Sequence, residues 1–385
     1  MDNTKGLRRD EVLELVRSLV MIESTTGKEE KISSFIREYF KRHDIESHTV
    51  DAGGDGVPFF VRFEGSQSGA VSFVGHMDCV DVKGQDWVHD PFGAEIEGDK
   101  LFGRGSSDMK SGLACMIATA IWIKANGILP KKSIVFAFTI EEEKGYKGAR
   151  KLAEAGAFKD SELIIIPEPT EAKMAIGQKG QLWIDATFYG KAAHAALPET
   201  GVNAAMAAAD YALRIDAGCE KFKNKKGLGR STGSMDEIHG GWQINVVPNT
   251  AKVGVDFRVV DPADHDLALQ IVEEACLQVC QRWGCTYTTA IRQYVEPVVS
   301  SVDNEMVSRL VNCLSNKVGA ADELGVVAYS TDGSVIVPTC KAPLIIFGPG
   351  SIKKAHQQEE YLIINQVFEV LDMFISYVSC VLINP

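Results

Sequence analysis

The sequence predicts an α/β fold with a largely parallel main sheet, interrupted by a smaller α+β domain. Short apolar runs typical of strands alternate with helix-like segments through most of the 385 residues, and this alternation favours a parallel sheet layered with helices. Between residues 178 and 293 the order changes to strand, helix, two strands, helix and strand, which is typical of a ferredoxin-like unit. We therefore expect a large domain from residues 1–177 and 294–385, with helices on both faces of a mixed, mostly parallel sheet, around an inserted domain at 178–293.

The individual elements follow from periodicity and from breaks between apolar runs. The chain opens on two helical patterns, separated at Thr25-Thr26-Gly27. In the large domain the expected strands are 57–63, 70–75, 133–140, 163–167 and 344–347, and the expected helices are 110–126, 148–155 and 360–381. In the inserted domain the expected strands are 182–188, 234–246, 250–260 and 285–292, and the expected helices are 202–215 and 264–283.

Composition and charge exclude several classes of protein. Apolar residues make up 45% and charged residues 24%, as in soluble globular proteins, so wholesale disorder is excluded. The net charge of −12 disfavours binding to nucleic acid or to anionic membranes. Charges interrupt the first apolar segment, so we expect no signal peptide, and no apolar run is long enough to span a bilayer. The nine cysteines are an odd number within mostly apolar surroundings, which indicates reduced thiols and a cytoplasmic location.

Residues able to bind a metal or move a proton follow several of the expected strands. They are His76, Asp78, Glu141 to Glu143, Glu168 and His356. In an open α/β sheet the carboxyl ends of the strands form the ligand crevice, so these side chains are expected to converge. The alternative is that each polar residue only terminates its strand, as loop residues commonly do.

Asp108 lies in a glycine-rich segment directly before an apolar helix. Helix capping would explain an acid there, and a ligand role is the alternative. The segment, Gly103-Arg-Gly-Ser-Ser-Asp108-Met-Lys-Ser-Gly112, has no glycine before its Lys-Ser pair and lacks the third glycine of a dinucleotide fingerprint, so it fits neither nucleotide motif. Cys276, Cys280 and Cys285 lie among apolar neighbours without a fourth ligand in the sequence, and we expect them in the core.

Six motifs together resemble those of one enzyme family. They are His76-Met-Asp78, the segment from Gly103 to Gly112, Glu141-Glu-Glu-Lys-Gly145-x-x-Gly148, Pro167-Glu168-Pro-Thr170, Gly190-Lys-Ala-Ala-His194 and Gly348-Pro-Gly350 followed by His356-Gln. In type and order they resemble the M20 metallohydrolases, the group that contains acetylornithine deacetylase, succinyl-diaminopimelate desuccinylase and glutamate carboxypeptidase. The inserted domain resembles the lid of that family, through which its members dimerise.

The resemblance implies a site for two Zn²⁺ ions in each subunit, for which Co²⁺ or Mn²⁺ could substitute. Asp108 would bridge the ions. His76 and Glu168 would complete one site, and His356 and Glu143 the other. Imidazole and carboxylate groups are suitable ligands for zinc.

The resemblance also implies roles for two acids near the ligands. Glu142 would be the general base, because the family's base and ligand are the two carboxylates just before the x-Gly-x-x-Gly pattern. Asp78 would accept a hydrogen bond from the His76 imidazole and hold its tautomer. Glu141 receives no catalytic role.

In the inserted domain, His194 resembles a family histidine that reaches the partner subunit's site and stabilises the oxyanion. Arg258 and Asn245 match positions that contact substrate, and Arg258 could hold a carboxylate bidentately. Lys179 is a further candidate for substrate binding. The turn Ser330-Thr-Asp-Gly333 is a further candidate. The paired arginines that desuccinylases carry near Lys179 are absent, whereas the segment at His356 is closer to the acetylornithine deacetylase pattern.

We therefore expect a cytoplasmic, homodimeric hydrolase that removes the acyl group from an N-acyl amino acid by metal-activated water. The nearest alternative is a dipeptidase or carboxypeptidase of the same architecture, acting on a short peptide. A noncatalytic, metal-dependent interaction protein is a remote third hypothesis, disfavoured because the expected base and all the expected ligands are present.

Overall fold

The computed structural model describes residues 5–318 and 324–383 of the chain. Its α-helices are α1 (Arg9–Val20), α2 (Glu30–Arg42), α3 (Ser111–Ala125), α4 (Lys147–Glu154), α5 (Ala204–Cys219), α6 (Pro262–Trp283), α7 (Glu305–Val318), α8 (Gly333–Cys340) and α9 (Ile364–Tyr377). Its strands are β1 (His48–Thr49), β2 (Phe59–Phe63), β3 (Ala70–His76), β4 (Ile96–Glu97), β5 (Lys100–Phe102), β6 (Ser133–Thr139), β7 (Ser161–Pro169), β8 (Ala175–Gln178), β9 (Gly180–Tyr189), β10 (Ala193–His194), β11 (Thr232–Gly240), β12 (Val246–Val247), β13 (Thr250–Val259), β14 (Thr286–Val295), β15 (Val298–Val299), β16 (Gly325–Val327), β17 (Leu344–Gly348) and β18 (Tyr361–Ile363).

The described residues form two compact units. The first contains those up to Gly177, those from Val299 to Val327 and those from Thr331 onward. The second contains Gln178–Val298 and Ala328–Ser330.

The first unit is built on a mixed sheet with the strand order β1-β2-β6-β3-β7-β17-β8-β15, and β16 pairs with β8. The pairs β6-β3, β3-β7 and β7-β17 are parallel. The pairs β1-β2, β2-β6 and β17-β8 are antiparallel. The prediction of an α/β fold with a mixed sheet that is parallel at its centre is therefore confirmed.

Helices bury the centre of this sheet. Every residue of β3 and β6 is buried, so both faces of the sheet are covered there, as in parallel sheets generally. Helix α3 is apolar around its whole circumference and almost entirely buried, which is typical of a helix enclosed on all sides. In the core, Phe73 stacks on Phe136 with ring centroids 5.0 Å apart and meets the edge of Phe374 at 4.9 Å.

Two parts of the first unit differ from the predicted elements. The helix expected from residue 360 begins at Ile364, because the chain before it is the strand β18, which pairs with β5. Helices α7 and α8 were not predicted from the sequence. Helix α8 is short and contains Pro338, which disfavours a helix in any reading of sequence alone.

The second unit has the predicted order of strand, helix, two strands, helix and strand. Its main sheet has the order β11-β13-β9-β14, and all its neighbouring strands are antiparallel. That order is the one expected of a ferredoxin-like unit. Helices α5 and α6 contact each other and this sheet, and their buried residues form a hydrophobic core of the unit. The short strands β10 and β12 form a separate ladder.

Two further features concern the cysteines and the helices. All nine cysteines lie in the described part of the chain and none is in a disulfide. Within residues 5–318 and 324–383, no helix combines the length and the apolar character that a membrane span requires.

Candidate metal centre

Two neighbouring strands and the segment before α3 bring three of the candidate ligands together. His76 is the last residue of β3, and Glu168 lies near the end of β7. Because these strands are parallel neighbours, both side chains leave the sheet at the same edge. Asp108 lies in the segment 106–110 that leads into α3. Convergence at the carboxyl edge of the sheet thus follows from the strand order.

A glycine allows α3 to approach β7 closely. A Cβ atom at Gly112 would lie only 2.3 Å from the Pro167 carbonyl oxygen and 3.0 Å from Pro167 Cβ. Gly112 lies four residues after Asp108, near the start of α3, and Pro167 directly precedes Glu168. The absence of a side chain at this position therefore helps to set the spacing of these two ligands.

Replacing Gly112 with alanine is expected to lower the free energy of unfolding by about 1–3 kcal/mol, because the new methyl group overpacks the contact with Pro167. At an open helical position the same change would stabilise the protein by about 1 kcal/mol. A decrease in the free energy of unfolding therefore indicates the close approach of Gly112 to Pro167. Urea unfolding of chelator-treated protein measures the effect. Ser111→Ala is the control, because that buried hydroxyl has no hydrogen-bond partner among the described residues. Unchanged stability in Gly112→Ala would contradict this reading of the contact.

The first group of ligand atoms is almost fully buried. His76 Nε2 lies 3.1 Å from Asp108 Oδ1 and 3.5 Å from Glu168 Oε1. The other ring nitrogen, Nδ1, lies 2.9 Å from the backbone carbonyl oxygen of Asp78. A neutral imidazole donates from one nitrogen and accepts at the other, so this carbonyl favours the tautomer with hydrogen on Nδ1 and leaves Nε2 free as a ligand.

The second group lies nearer the surface and shares Asp108 with the first. His356 Nε2 lies 3.0 Å from Glu143 Oε1 and 3.3 Å from Asp108 Oδ2. The ligand atoms within each group of three lie within 4.8 Å of one another. Each oxygen of the Asp108 carboxylate therefore faces a different imidazole. Two groups of imidazole and carboxylate donors around one shared aspartate make a donor set that suits two divalent cations such as Zn²⁺.

The charges at the site also fit bound cations. Burial, together with the charge of Asp108, raises the pKa of Glu168 to about 8 and raises the pKa of Glu143. Hydrogen bonds to Asp108 and Glu143 raise the pKa of His356 to about 10. Burial alone would raise the pKa of Asp108, but the hydrogen bonds with His356 and His76 outweigh it and hold that pKa below its usual value. Bound cations would lower the pKa of Glu168 and Glu143 again and would displace the proton from the His356 imidazole.

The three consecutive glutamates have different surroundings. Glu141 carries its carboxylate 2.6 Å from the Lys147 ammonium group. Glu143 faces His356, whereas no hydrogen bond to the Glu142 carboxylate is found among residues 5–318 and 324–383. Burial raises the pKa of Glu142 well above its ordinary value, the charge of His76 opposes this rise, and the charge of Glu143 adds to it. A buried carboxyl group with a raised pKa is suited to accept and return a proton.

Asp78 does not make the contact implied by the resemblance. Its carboxylate lies 3.6 Å from His76 Nδ1, and the backbone carbonyl of Asp78 makes the hydrogen bond instead. The carboxylate accepts hydrogen bonds from the backbone N–H groups of Glu142 and Glu143, at 3.1 and 3.3 Å, and from the Thr26 hydroxyl at 2.9 Å. The backbone carbonyl of Asp78 thus orients His76, and the carboxylate of Asp78 holds the backbone of Glu142 and Glu143.

Two other candidates, His194 and Asn245, are neighbours in the second unit. His194 is paired with Val246 across the β10-β12 ladder, and the Ala195 N–H donates to the Asn245 carbonyl oxygen at 3.0 Å. The Ala196 N–H donates to His194 Nδ1 at 3.0 Å, so the neutral ring carries its hydrogen on Nε2. His194 is therefore prepared to donate a hydrogen bond from Nε2.

The remaining two candidates already have partners within the second unit. Arg258 donates from Nε and Nη2 to Asp256 Oδ2, at 3.2 and 2.9 Å. Lys179 Nζ donates to the Arg230 carbonyl oxygen at 2.6 Å. Burial and the charge of Arg258 lower the pKa of Lys179, so these two cationic side chains lie near each other.

Two buried acids near residues 141–143, Glu29 and Asp332, have no individual role that the sequence predicts. Glu29 Oε1 accepts from the backbone N–H groups of Gly27 and Glu141, at 2.9 and 3.2 Å. Asp332 accepts a hydrogen bond from the Thr139 hydroxyl. The second oxygen of each carboxyl group is buried without a hydrogen-bond partner among the described residues. Glu29 resembles an ordinary acid at a helix start, and only the turn at 330–333 drew attention to Asp332.

Stability should depend on pH through Glu29. Burial raises the pKa of Glu29 from 4.5 to about 7, so the folded state binds this proton more tightly than the unfolded state. Its stabilising contribution is therefore complete below the unfolded pKa and is lost as pH rises toward the folded value. The difference in free energy of unfolding between Glu29→Gln and wild type should favour the variant more at about pH 8 than at about pH 5. Urea unfolding of chelator-treated protein measures this difference. The exposed Glu46→Gln is the control, and identical pH dependence in Glu29→Gln and wild type would contradict the prediction.

Comparison with known proteins identifies the family. The model of peptidase family M20/M25/M40 matches residues 72–379, which is most of the chain. The chain belongs to this family. It is therefore a hydrolase that acts on amide bonds.

Relatives of this M20 chain cover nearly its whole length. A probable succinyl-diaminopimelate desuccinylase from Staphylococcus aureus (strain MRSA252) is 27% identical over 94% of this chain and 96% of that protein. A peptidase M20 domain-containing protein from Schizosaccharomyces pombe is 29% identical over 94% of this chain and 83% of that protein.

Solved structures of M20 proteins share the fold. A tripeptidase from Staphylococcus aureus superposes with a TM-score of 0.80 at 21% identity, over 97% of this chain and all of that chain. A Bacillus subtilis protein described as a dinuclear metal binding peptidase of the M20 family superposes with a TM-score of 0.72 at 14% identity, over 97% of this chain and 98% of that chain.

Proposed function

We propose that this M20 chain is a two-zinc hydrolase that cleaves the amide bond of an N-acyl amino acid. The observation that carries the proposal is the pair of ligand groups, His76-Asp108-Glu168 and Asp108-Glu143-His356, that share one aspartate. Next to them, the Glu142 carboxyl group is buried and without a hydrogen bond among the described residues. This combination supports hydrolysis rather than binding alone.

The five ligand residues would hold the two ions, with Asp108 between them. Ions bound there would supply Lewis-acid activation of a water molecule and of the scissile carbonyl group. Glu142 accepts the proton of the attacking water and passes it to the nitrogen of the leaving amine, so that the C–N bond breaks with a neutral amine as product. Asp78 holds Glu142 in place, because its carboxylate accepts the backbone N–H groups of Glu142 and Glu143.

His194 is our candidate for stabilising the negative charge that develops on the carbonyl oxygen. The hydrogen bond from Ala196 to Nδ1 supports this role, because it leaves hydrogen on Nε2. By analogy with the M20 family, a second copy of the chain would supply this residue within a homodimer formed through the inserted domain.

Substrate anchoring is proposed for Arg258, Asn245 and Lys179. Arg258 already donates from Nε and Nη2 to a single carboxylate oxygen, Oδ2 of Asp256. A substrate carboxylate would therefore have to compete with Asp256 for the guanidinium group. Lys179, close to Arg258, would add positive charge to the same anchor.

A peptidase acting on short peptides is the second candidate function. It is favoured by the tripeptidase from Staphylococcus aureus, whose fold matches across the whole chain. A peptidase and a deacylase can share the same metal site and base, because both reactions hydrolyse a linear amide. A noncatalytic, metal-dependent interaction protein is disfavoured, because neither the base nor any ligand has been lost. We further propose a cytoplasmic location, supported by nine cysteines without a disulfide.

The test is release of free amine from a panel of N-acetyl, N-succinyl and dipeptide substrates. Zinc-loaded and chelator-stripped protein are assayed in parallel. Release that requires metal, with preference for an acylated amino acid, supports the proposal. Metal-dependent release from dipeptides alone would favour the peptidase, and no release from any substrate despite bound metal would contradict both.

A further inference from the structure

A buried ion pair lies directly behind Asp108. Arg104 and Glu360 are each about 1% exposed, and Arg104 Nη1 lies 2.6 Å from Glu360 Oε2. The other carboxylate oxygen of Glu360 accepts the backbone N–H groups of Ser107 and Asp108, at 2.9 and 3.1 Å. Glu360 thus fixes the backbone from which the shared ligand Asp108 projects.

The same arginine reaches the segment that carries His356. Its second terminal nitrogen, Nη2, donates to Gln85 Oε1 at 2.6 Å. Gln85 Nε2 in turn donates to the backbone carbonyl oxygen of His356 at 3.1 Å, and Trp87 Nε1 donates to Gln85 Oε1 at 3.2 Å. A continuous chain of hydrogen bonds therefore connects the backbone of Asp108 with the backbone of His356.

The backbone at His356 depends on such contacts for its position. Residues 352–359 form turns rather than a helix or a strand. His356 has φ of 63° and Glu359 has φ of 56°, values in the left-handed region that non-glycine residues adopt at a cost. Beyond the Gln85 contact, the Glu359 carboxylate accepts from the N–H of Val88 and from His89. Side chains rather than a backbone ladder thus hold this part of the chain.

We infer that Gln85 is a positioning residue that holds His356 against Asp108 for the second ion. The inference rests on the proposed two-ion site. A glutamine amide suits this place, because its oxygen accepts from Arg104 while its nitrogen donates to the His356 carbonyl. Gln85 acts on the group Asp108-Glu143-His356 and makes no contact with His76 or Glu168. The buried ion pair between Arg104 and Glu360 makes the hydrogen-bond chain rigid at its Asp108 end.

Selective loss of one ion is the expected result of removing this connection. In Gln85→Leu, the His356 carbonyl loses its donor while every ligand side chain remains. Loss of a partner that orients a ligand typically lowers metal affinity by about 10–100-fold. We expect this loss in one of the two binding steps only, because Glu360 still holds the backbone of Asp108 in the variant, and neither His76 nor Glu168 has a hydrogen bond with Gln85 among the described residues.

The experiment titrates chelator-stripped protein with Co²⁺, following heat and visible absorption. His356→Ala first identifies the binding step that belongs to the second group. Gln85→Leu should weaken that step by about 10-fold or more and leave the other within about 2-fold. The exposed Gln67→Leu is a matched control and should bind as wild type does. Gln85 is partly exposed, so Gln85→Leu should fold, whereas replacement of the buried Arg104 could prevent folding. Urea unfolding of the metal-free proteins checks that Gln85→Leu is folded.

Equal weakening of both steps, or no weakening of either, in Gln85→Leu would overturn the inference while leaving the two-ion site intact. A wild-type protein that binds fewer than two Co²⁺ ions would overturn the proposed site and this inference with it. A change in the spectrum and affinity of the His356 step alone would support the inference, because general destabilisation would not single out one step.

Discussion

Glu142→Gln is expected to lower kcat by about 10²–10⁴-fold, the usual contribution of a general acid-base residue. Glutamine preserves the size of the side chain but cannot accept a proton from water. Because Glu142 is not among the ligands, metal binding should be retained. The expected signature is therefore a loss in kcat with both ions still bound, measured by initial rates together with metal analysis of the same sample.

Glu141→Gln is the matched control for this variant. Its carboxylate pairs with Lys147, so the change should leave kcat within about 2-fold, as is usual for a surface charge pair that contributes little. Comparison of the two neighbours separates a specific role of Glu142 from the general loss of one negative charge. Full activity in Glu142→Gln would show that the base is another group.

Asp108→Asn should weaken the binding of both ions. Asparagine keeps the shape of the side chain but offers one neutral oxygen in place of two charged ones, and each Asp108 oxygen now faces a different histidine. Loss of a residue that only supports a ligand weakens metal binding by about 10–100-fold, and each binding step should weaken by at least this much. Hydrolysis should fall in parallel, because the proposed mechanism uses both ions to activate the reactants.

The comparison variant is His356→Ala, which removes a ligand from one group only. It should weaken one step, whereas Asp108→Asn should weaken two, as measured by calorimetric titration of stripped protein with Zn²⁺. If Asp108→Asn left either step at its wild-type affinity, Asp108 would belong to a single site and the shared arrangement would be wrong.

The sequence predicted the main architecture because periodic burial dominates those segments. Continuous apolar runs at β3, β6 and β7, separated by helix-like segments, indicated the parallel centre of the sheet. A strand buried on both faces is apolar throughout. The change of pattern after Gln178 identified the inserted unit. By contrast, β18 depends on its pairing with the distant strand β5, and α8 contains Pro338, so neither follows from a local pattern.

The candidate ligand residues were recognisable because they stand at strand ends and within motifs. Their supporting residues carry no such signal. Glu29 is an acid at the start of a helix, and Gln85 lies in an irregular segment; their roles depend on backbone groups of Glu141 and His356 that are far away in sequence. The position of the Asp78 carboxylate likewise could not be read from the spacing of His76 and Asp78, because the backbone carbonyl competes for the same imidazole nitrogen.

In the proposed hydrolase, one aspartate joins two metal sites. The most direct test is a titration of chelator-stripped protein with Zn²⁺, in which hydrolysis of the best substrate of the panel and bound metal are measured at each addition. We expect bound metal to saturate at two ions per chain and activity to depend on them. Full activity in the stripped protein, or saturation at one ion per chain, would contradict it.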